Sequence, residues 1–257
     1  MSPSSAKGTG LRAGWLFSLV LFSTALPAQQ ALLKGTILPV QLNSTLGSRS
    51  RPGRAFTARV MQDVPGTGIR AGRRVLGHVV SAKAATNGSG AQLTLRFDAV
   101  AISQHRIPVS VDLRALASMM EVSDAQAPLS GPDRGTSQGS WTTHQIGGEV
   151  VYRGGGPVAR GLRPVGVPAA NGVLARASSA PGTACRGEIE GNDRLEAFWV
   201  FSSDACGVYG FPDLEITHAG RSHPAGEIVL TSRQGNIQLR GGTGMLLRVN
   251  ASQPAEN

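Results

Sequence analysis

Apolar and polar residues alternate with a period of two over several stretches of the chain after residue 36. The clearest example is "AQLTLRFDAVAI" (91–102), in which Leu93, Leu95 and Phe97 fall on one face. This period is typical of a β-strand with one buried face. Similar short runs recur between turns rich in glycine, proline and asparagine, which is typical of a β-barrel or β-sandwich. The pattern therefore predicts an all-β fold.

The spacing of these runs predicts two β-units. The first is a small N-terminal β-barrel. A segment rich in glycine and proline follows it, and three apolar runs near the C-terminus, "GEIVLTS", "NIQLRG" and "GMLLRV", predict a β-meander. The pattern leaves open whether the two units share one core. The predicted division is a signal peptide (1–28), the barrel (29–125), a linker with strands (126–171), the C-terminal β-unit (172–250) and a tail (251–257).

One short helix is predicted within "VDLRALASMMEVSDA" (111–125). Leu113, Leu116 and Met120 are spaced i, i+3 and i+7, which places them on one face of a helix. No other stretch shows this period as clearly.

The N-terminus has the features of a secretory signal. Lys7 and Arg12 precede the apolar run "WLFSLVLF" (15–22), and small residues around Ala25 and Ala28 suit cleavage. The run is shorter than the roughly 20 residues that cross a bilayer. We therefore expect an exported chain, periplasmic or secreted, with no transmembrane segment after cleavage. An uncleaved N-terminal anchor is the alternative.

The sequence contains two cysteines, Cys185 and Cys206. An even pair in an exported protein predicts a disulfide. Such a bridge would close the C-terminal β-unit and stabilise it by about 3 kcal/mol. A zinc site would require two more ligands and a shorter spacing, and a thiol nucleophile would require a neighbouring base.

Positive charge is concentrated in one part of the chain. The formal net charge is +9, and residues 49–74 hold seven arginines against a single acid, Asp63. Such a cluster predicts an anionic partner, although arginine-rich composition from a GC-rich genome is the alternative. For an exported protein the expected partner is an anionic polymer or another envelope protein, and no nucleic acid. The predicted patch comprises Arg49, Arg51, Arg54, Arg59, Arg73 and Arg74.

Candidate catalytic chemistry is sparse. His218 and His223 flank a turn and, with Asp213, would form a His-His-carboxylate set, but their spacing matches no established metal motif. We predict no catalytic residue, metal or other cofactor. The loop "SSDACGVYGFPDL" (202–214) carries Asp204, Tyr209 and Phe211, which are either a recognition surface or a plug that closes the β-unit.

A set of glycines and turn residues occurs at characteristic positions in residues 32–112. They are Gly35-Thr36, Ser48, Pro52-Gly53, Asp63-Val64, Gly72 and Gly77. With the strands between them, they make this third of the chain resemble the β-barrel module of TrbI-type proteins of bacterial conjugation and type IV secretion channels. Ala71 stands where that module has proline. The resemblance implies a small exported barrel, as in other exported bacterial proteins. Because this chain departs from the module at Ala71 and shows no helical pore-forming insertion, we do not expect a channel.

Two hypotheses on function follow. The first is a non-enzymatic interaction module of the cell envelope or the secreted fraction. The alternative is an extracytoplasmic hydrolase that uses His218, His223 and nearby carboxylates.

Overall fold

The computed structural model describes residues 32–102, 105–127, 145–153, 159–160, 163–164, 166–169, 172–179, 182–183, 185, 197–217 and 226–251. Strands dominate these residues. The N-terminal part contains β1 (Ile37–Leu42), β2 (Leu46–Gly47), β3 (Ala55–Val60), β4 (Arg74–Lys83), β5 (Ala91–Ile102), β6 (His105–Pro108), β7 (Ser110–Ala117) and the helix α1 (Met119–Gln126). The all-β prediction, with one short helix in the described part of the chain, is confirmed.

The remaining strands are short or pair locally. They are β8 (Gly148–Arg153), β9 (Ala159–Arg160), β10 (Arg163–Pro164), β11 (Gly166–Ala169), β12 (Gly172–Ser179), β13 (Ala197–Phe198), β14 (Phe201–Ser202), β15 (Gly207–Tyr209), β16 (Leu214–Ile216), β17 (Glu227–Ser232), β18 (Gln238–Leu239) and β19 (Gly244–Ala251). β8, β11 and β12 form a three-stranded sheet, while β9–β10, β13–β14 and β2–β18 are two-stranded pairs.

Ten strands form the main sheet, in the order β15-β7-β19-β1-β3-β4-β5-β17-β16, and β6 pairs with β5 beside this path. Neighbours are antiparallel, except that β15 runs parallel to β7. Strands from the N-terminal and C-terminal parts of the chain are mixed in this order. β19, for example, lies between β1 and β7.

One hydrophobic core unites the two predicted β-units. Side chains from residues 32–116 and from 208–249 belong to the same buried cluster. The sequence left this relationship open, and the structure shows that the core is shared. Central members of the cluster are Leu38, Val40, Phe56, Val79, Leu95, Phe97, Leu113, Leu230, Met245 and Leu247.

The main sheet curls around this core. β6 pairs with β5 and β7 pairs with β19, yet only Val109 separates β6 from β7. In a flat sheet, β5 and β7 would lie five strand spacings apart, or about 24 Å. The ends of the path, β15 and β16, are likewise joined by residues 210–213 alone. Because the strand order itself has two ends, a closed barrel stays a prediction.

A second layer covers the outer face of β7 and β19. Ala115, Ala117 and Leu246 pack there against Phe201 and Val122, together with other residues of α1, 146 and 198–205. β7 is therefore buried on both faces along its whole length.

This burial explains a wrong part of the helix prediction. Residues 111–117 form most of β7, and the helix begins only at Met119. Leu113 and Leu116 matched a helical period because a strand buried on both faces has no alternation. Ser118 caps α1, since its Oγ accepts a hydrogen bond of 3.2 Å from the backbone N–H of Glu121.

The predicted C-terminal meander is wrong in its pairing. β17 pairs with β5 and β16, β18 pairs with β2, and β19 pairs with β1 and β7. None of these three strands pairs with the next one in the chain, because each completes a sheet that the N-terminal strands began.

The predicted signal peptide, residues 1–28, lies outside the described residues. Within the part that the structure describes, no helix has both the length and the hydropathy that a membrane crossing requires.

Candidate anion-binding surface

Arg59 and Arg74 lie directly opposite each other on β3 and β4, as partners in the antiparallel register. Both side chains are exposed, because the adjacent Ala58 and Val75 point into the core. Directly opposed residues have Cβ atoms about 4.5–5.5 Å apart, and like charges in this arrangement are destabilising. The sheet therefore presents two adjacent positive charges at its outer surface.

Gln41 on β1 is the partner of Arg59 on the other side. Its Oε1 accepts a hydrogen bond of 3.2 Å from Nη2 of Arg59, and its Nε2 donates one of 3.2 Å to the carbonyl of Gly242. The amide is neutral, so it orients the guanidinium without cancelling its charge.

Arg106 extends this row of charge across the sheet. Val75 pairs with Val100, and the next residue, Ala101, pairs with Arg106 on β6. Arg106 is exposed and lies two strand spacings, or about 10 Å, from Arg74 on the same face. Arg106 is absent from the predicted patch because it lies far from the other arginines along the chain. We call Arg59, Arg74 and Arg106 the arginine row.

The sequences of β3 to β6 contain a single acidic residue, Asp98. Its Oδ2 lies 2.9 Å from Nδ1 of His78. Arg96 on the same face has an acidic register partner, Glu227, on β17. The negative charges of this face thus lie beside His78 and Arg96, not beside the arginine row.

Arg70 is paired locally and does not belong to the row. Its Nη1 lies 2.7 Å from Oδ2 of Asp63. Oδ1 of Asp63 accepts a hydrogen bond of 2.9 Å from the backbone N–H of Ala71. The hydrogen bond from Ala71 and then the one from Arg70 lower the pKa of Asp63 below its ordinary value.

The six arginines of the predicted patch fall into two groups. Arg59, Arg73 and Arg74 lie where β3 ends and β4 begins, and Arg73 is half-buried. Arg49, Arg51 and Arg54 are exposed in the loop that precedes β3, and Nη1 of Arg54 donates a 3.3 Å hydrogen bond to Oγ of Ser50. Arg54 and Arg59 are five positions apart, which corresponds to about 17 Å along a strand.

The predicted disulfide is confirmed. Cys185 and Cys206 are bonded, with a Cα–Cα distance of 5.3 Å. The backbone N–H of Gly182 donates a 2.9 Å hydrogen bond to the carbonyl of Cys206, and Thr183 forms a β-bridge with Val208. The disulfide and these backbone contacts therefore join Gly182, Thr183 and Cys185 to the start of β15.

The residues of the predicted recognition loop are packed against the protein. Phe211 is half-buried against the main core, and Tyr209 packs against the outer layer. Oη of Tyr209 accepts a 3.2 Å hydrogen bond from the backbone N–H of Cys206, and burial raises the pKa of Tyr209. Asp204 is half-buried near the buried Arg114. This packing favours the plug interpretation of the loop.

The residues of the hydrolase hypothesis are only partly described. Asp213 is exposed in the turn between β15 and β16, whereas His218 and His223 lie outside the described residues. Among the residues that the structure does describe, no three His, Cys, Asp or Glu side chains are grouped to hold a metal ion.

Comparisons with known proteins identify no relative of this chain. No family model, curated protein or solved structure matches the chain.

Proposed function

We propose that the protein is an exported, non-enzymatic interaction module of the cell envelope or secreted fraction, which binds an anionic partner through exposed arginines. The observation that carries the proposal is the pair formed by Arg59 and Arg74. Two arginines directly opposite each other repel, and neither strand supplies an acid to offset that cost. An anion bound between the two guanidinium groups would attract both of them and offset their mutual repulsion.

The chemistry of arginine supports the same proposal. Its guanidinium presents donors in a planar fork that fits carboxylate, sulfate or phosphate groups, and it keeps its charge at any physiological pH. The orientation of Arg59 by Gln41 lowers the conformational entropy that is lost when an anion binds.

Export is part of the proposal. The bond between Cys185 and Cys206 supports it, because disulfides persist mainly in oxidising compartments. The resemblance of residues 32–112 to the TrbI-type module supports an envelope role.

Binding to polygalacturonate, an acidic polysaccharide, tests this function. The affinity of the wild type should fall steeply between about 0.05 M and 0.3 M salt, because exposed charges are screened. The variant Arg59→Gln/Arg74→Gln should bind about tenfold more weakly at low salt.

The matched control is Arg70→Gln/Arg96→Gln. It changes the formal charge by the same amount, but each of its arginines lies beside an acid, Asp63 or Glu227. The control should retain most of the affinity. Equal losses of affinity in the two variants would show that binding depends on net charge alone and would contradict a site at Arg59 and Arg74. Binding that does not respond to salt, or no binding at all, would refute the proposal.

A further inference from the structure

Hydrogen bonds centred on the buried Ser48 tie together three loops at the end of the sheet where β3 begins. Oγ of Ser48 donates a 3.1 Å hydrogen bond to Oδ1 of Asn236 and accepts one of 3.1 Å from the backbone N–H of Ile237. Oδ1 of Asn236 also accepts a 3.0 Å hydrogen bond from the backbone N–H of Ala85. Ser48 is 2% exposed. This contact holds the loops 43–54, 84–90 and 233–243 in one arrangement.

These three loops are free of acidic residues. They carry several exposed cations, to which Lys83 is added at the end of β4. Arg233 is offset by Glu215, 2.9 Å away. The other cations of this end, which we call the cationic rim, are Arg49, Arg51, Arg54, Lys83 and Arg240.

Arg54 of the rim and Arg59 of the row lie at different positions along the sheet. The row projects from the outer face of β3, β4 and β6, whereas the rim lies at the strand ends. Backbone pairing fixes this separation: Arg54 and Gly53 bond to Val79, while Arg59 pairs with Arg74. Along both strands, about five positions, or 17 Å, therefore separate Arg54 of the rim from Arg59 of the row.

We propose that the anionic partner is an extended acidic polysaccharide that contacts the rim and the row at the same time. This inference rests on the proposed function. A small anion could not contact Arg54 and Arg59 at the same time. A flat lipid surface would meet either the strand ends or the sheet face, whereas a flexible chain follows the surface from one to the other.

A long polysaccharide would bind more tightly than a short one because a single chain would occupy two weak sites at once. Each exposed arginine contact contributes little by itself. Once one part of the chain is bound at the row, the next part reaches the rim at a high effective concentration, so that a spanning chain binds about 100-fold more tightly than a short one.

The test measures binding of oligogalacturonates of graded length to the full chain. We compare the wild type, a row variant Arg59→Gln/Arg74→Gln and a rim variant Arg51→Gln/Arg54→Gln. Affinity for the wild type should rise sharply once the oligomer exceeds about 17 Å, and either variant should abolish that rise. All substituted side chains are exposed, and thermal unfolding checks that each variant is folded.

The outcomes separate this inference from the proposed function. Salt-sensitive binding that does not depend on oligomer length, and that only one variant weakens, would overturn the two-site inference and leave the anion-binding function intact. The absence of salt-sensitive binding at every length would refute both. A length-dependent rise that either variant removes would support both. Equal binding to anionic lipid vesicles and to long oligomers would contradict the polysaccharide assignment.

Discussion

The guanidinium of Arg114 holds the loop of the outer layer through Ala205. Its Nε donates a 3.0 Å hydrogen bond to the carbonyl of Ala205, and its Nη2 donates another to the carbonyl of Ser203. Arg114 lies where the register of β7 shifts against β19, and it is 8% exposed. Burial lowers its pKa, and the charge of Asp204 acts in the opposite direction. The loop that carries Cys206 is thus anchored to the sheet by a buried cation.

Replacement of Arg114 by methionine should destabilise the protein by about 2–4 kcal/mol. Methionine preserves part of the volume but leaves the carbonyls of Ser203 and Ala205 without this donor, and unsatisfied buried groups are costly. Urea unfolding followed by tryptophan fluorescence measures the change. The control, Arg106→Met, alters an exposed arginine and should shift the midpoint little. Equal effects of the two substitutions would show that the anchor contributes nothing specific.

The disulfide fixes the same loop as Arg114, at the neighbouring residue Cys206. Removal of the bridge in Cys185→Ala/Cys206→Ala should lower the free energy of unfolding by about 3 kcal/mol, because the crosslink restricts the unfolded chain. A reductant should lower the melting temperature of the wild type and leave that of the double variant unchanged. A wild type that melts at the same temperature with and without reductant would contradict this prediction.

Gly77 marks a close approach within the main sheet. A Cβ atom at this position would lie 2.5 Å from the carbonyl oxygen of Arg96 and 2.7 Å from Cζ of Phe56. Phe56 packs edge-to-face on Phe97, with ring centroids 5.2 Å apart. Gly77→Ala should therefore displace this aromatic pair and destabilise the fold by about 1–3 kcal/mol.

Near-UV circular dichroism and urea unfolding test the Gly77 prediction together. The comparison variant is Gly66→Ala. Gly66 lies in an open turn, with a φ of 74° and no atom near the position of an added Cβ. This variant should lose stability through backbone strain alone, without a change in the aromatic spectrum. An unchanged spectrum for Gly77→Ala would show that the sheet accommodates the methyl group without moving the rings.

Alternation along single strands was sufficient to predict the fold class. β3 and most of β4 bury one face, and the apolar residues of β5 alternate, so a period of two marks these strands in the sequence although Thr94 of β5 is also buried. β7 has no such alternation and was predicted as part of a helix, because the outer layer buries its second face. The pairing of β19 with β1 and β7 also has no local signal, since its partners are about 200 positions apart for β1 and about 130 for β7.

The candidate surface was predictable only in part for the same reason. Arg59 and Arg74 are close in sequence as well as in space, so a count of charges along the chain found them. Arg106 joins them only through the pairing of β6 with β5. Conversely, Arg54 is nearer to Arg59 in sequence than Arg74 is, yet the extended backbone of β3 carries it to the other end of the sheet.

Asp63 should make stability depend on pH in the acid range. Its pKa is lowered from the ordinary value of 3.8, first by the hydrogen bond from the backbone of Ala71 and then by that from Arg70. A carboxyl group with a lowered pKa in the folded state stabilises the fold above its unfolded pKa. That contribution is lost as the pH falls through the folded pKa. The urea midpoint of Asp63→Asn should therefore lie below that of the wild type at pH 7, and the gap should close as the pH falls below 3.8.

The variant Arg70→Gln separates the two causes. Because the N–H of Ala71 remains and is the larger cause, the pH-dependent gap between wild type and Arg70→Gln should be smaller than that for Asp63→Asn. Asp63 and Arg70 are both exposed, so added salt should screen the charge interaction between them. Salt should therefore reduce the difference between wild type and Arg70→Gln by a larger fraction than the difference between wild type and Asp63→Asn. A gap between wild type and Asp63→Asn that stays constant from pH 7 down to pH 2 would contradict the assignment, because it would show that the ionisation of Asp63 is not coupled to folding.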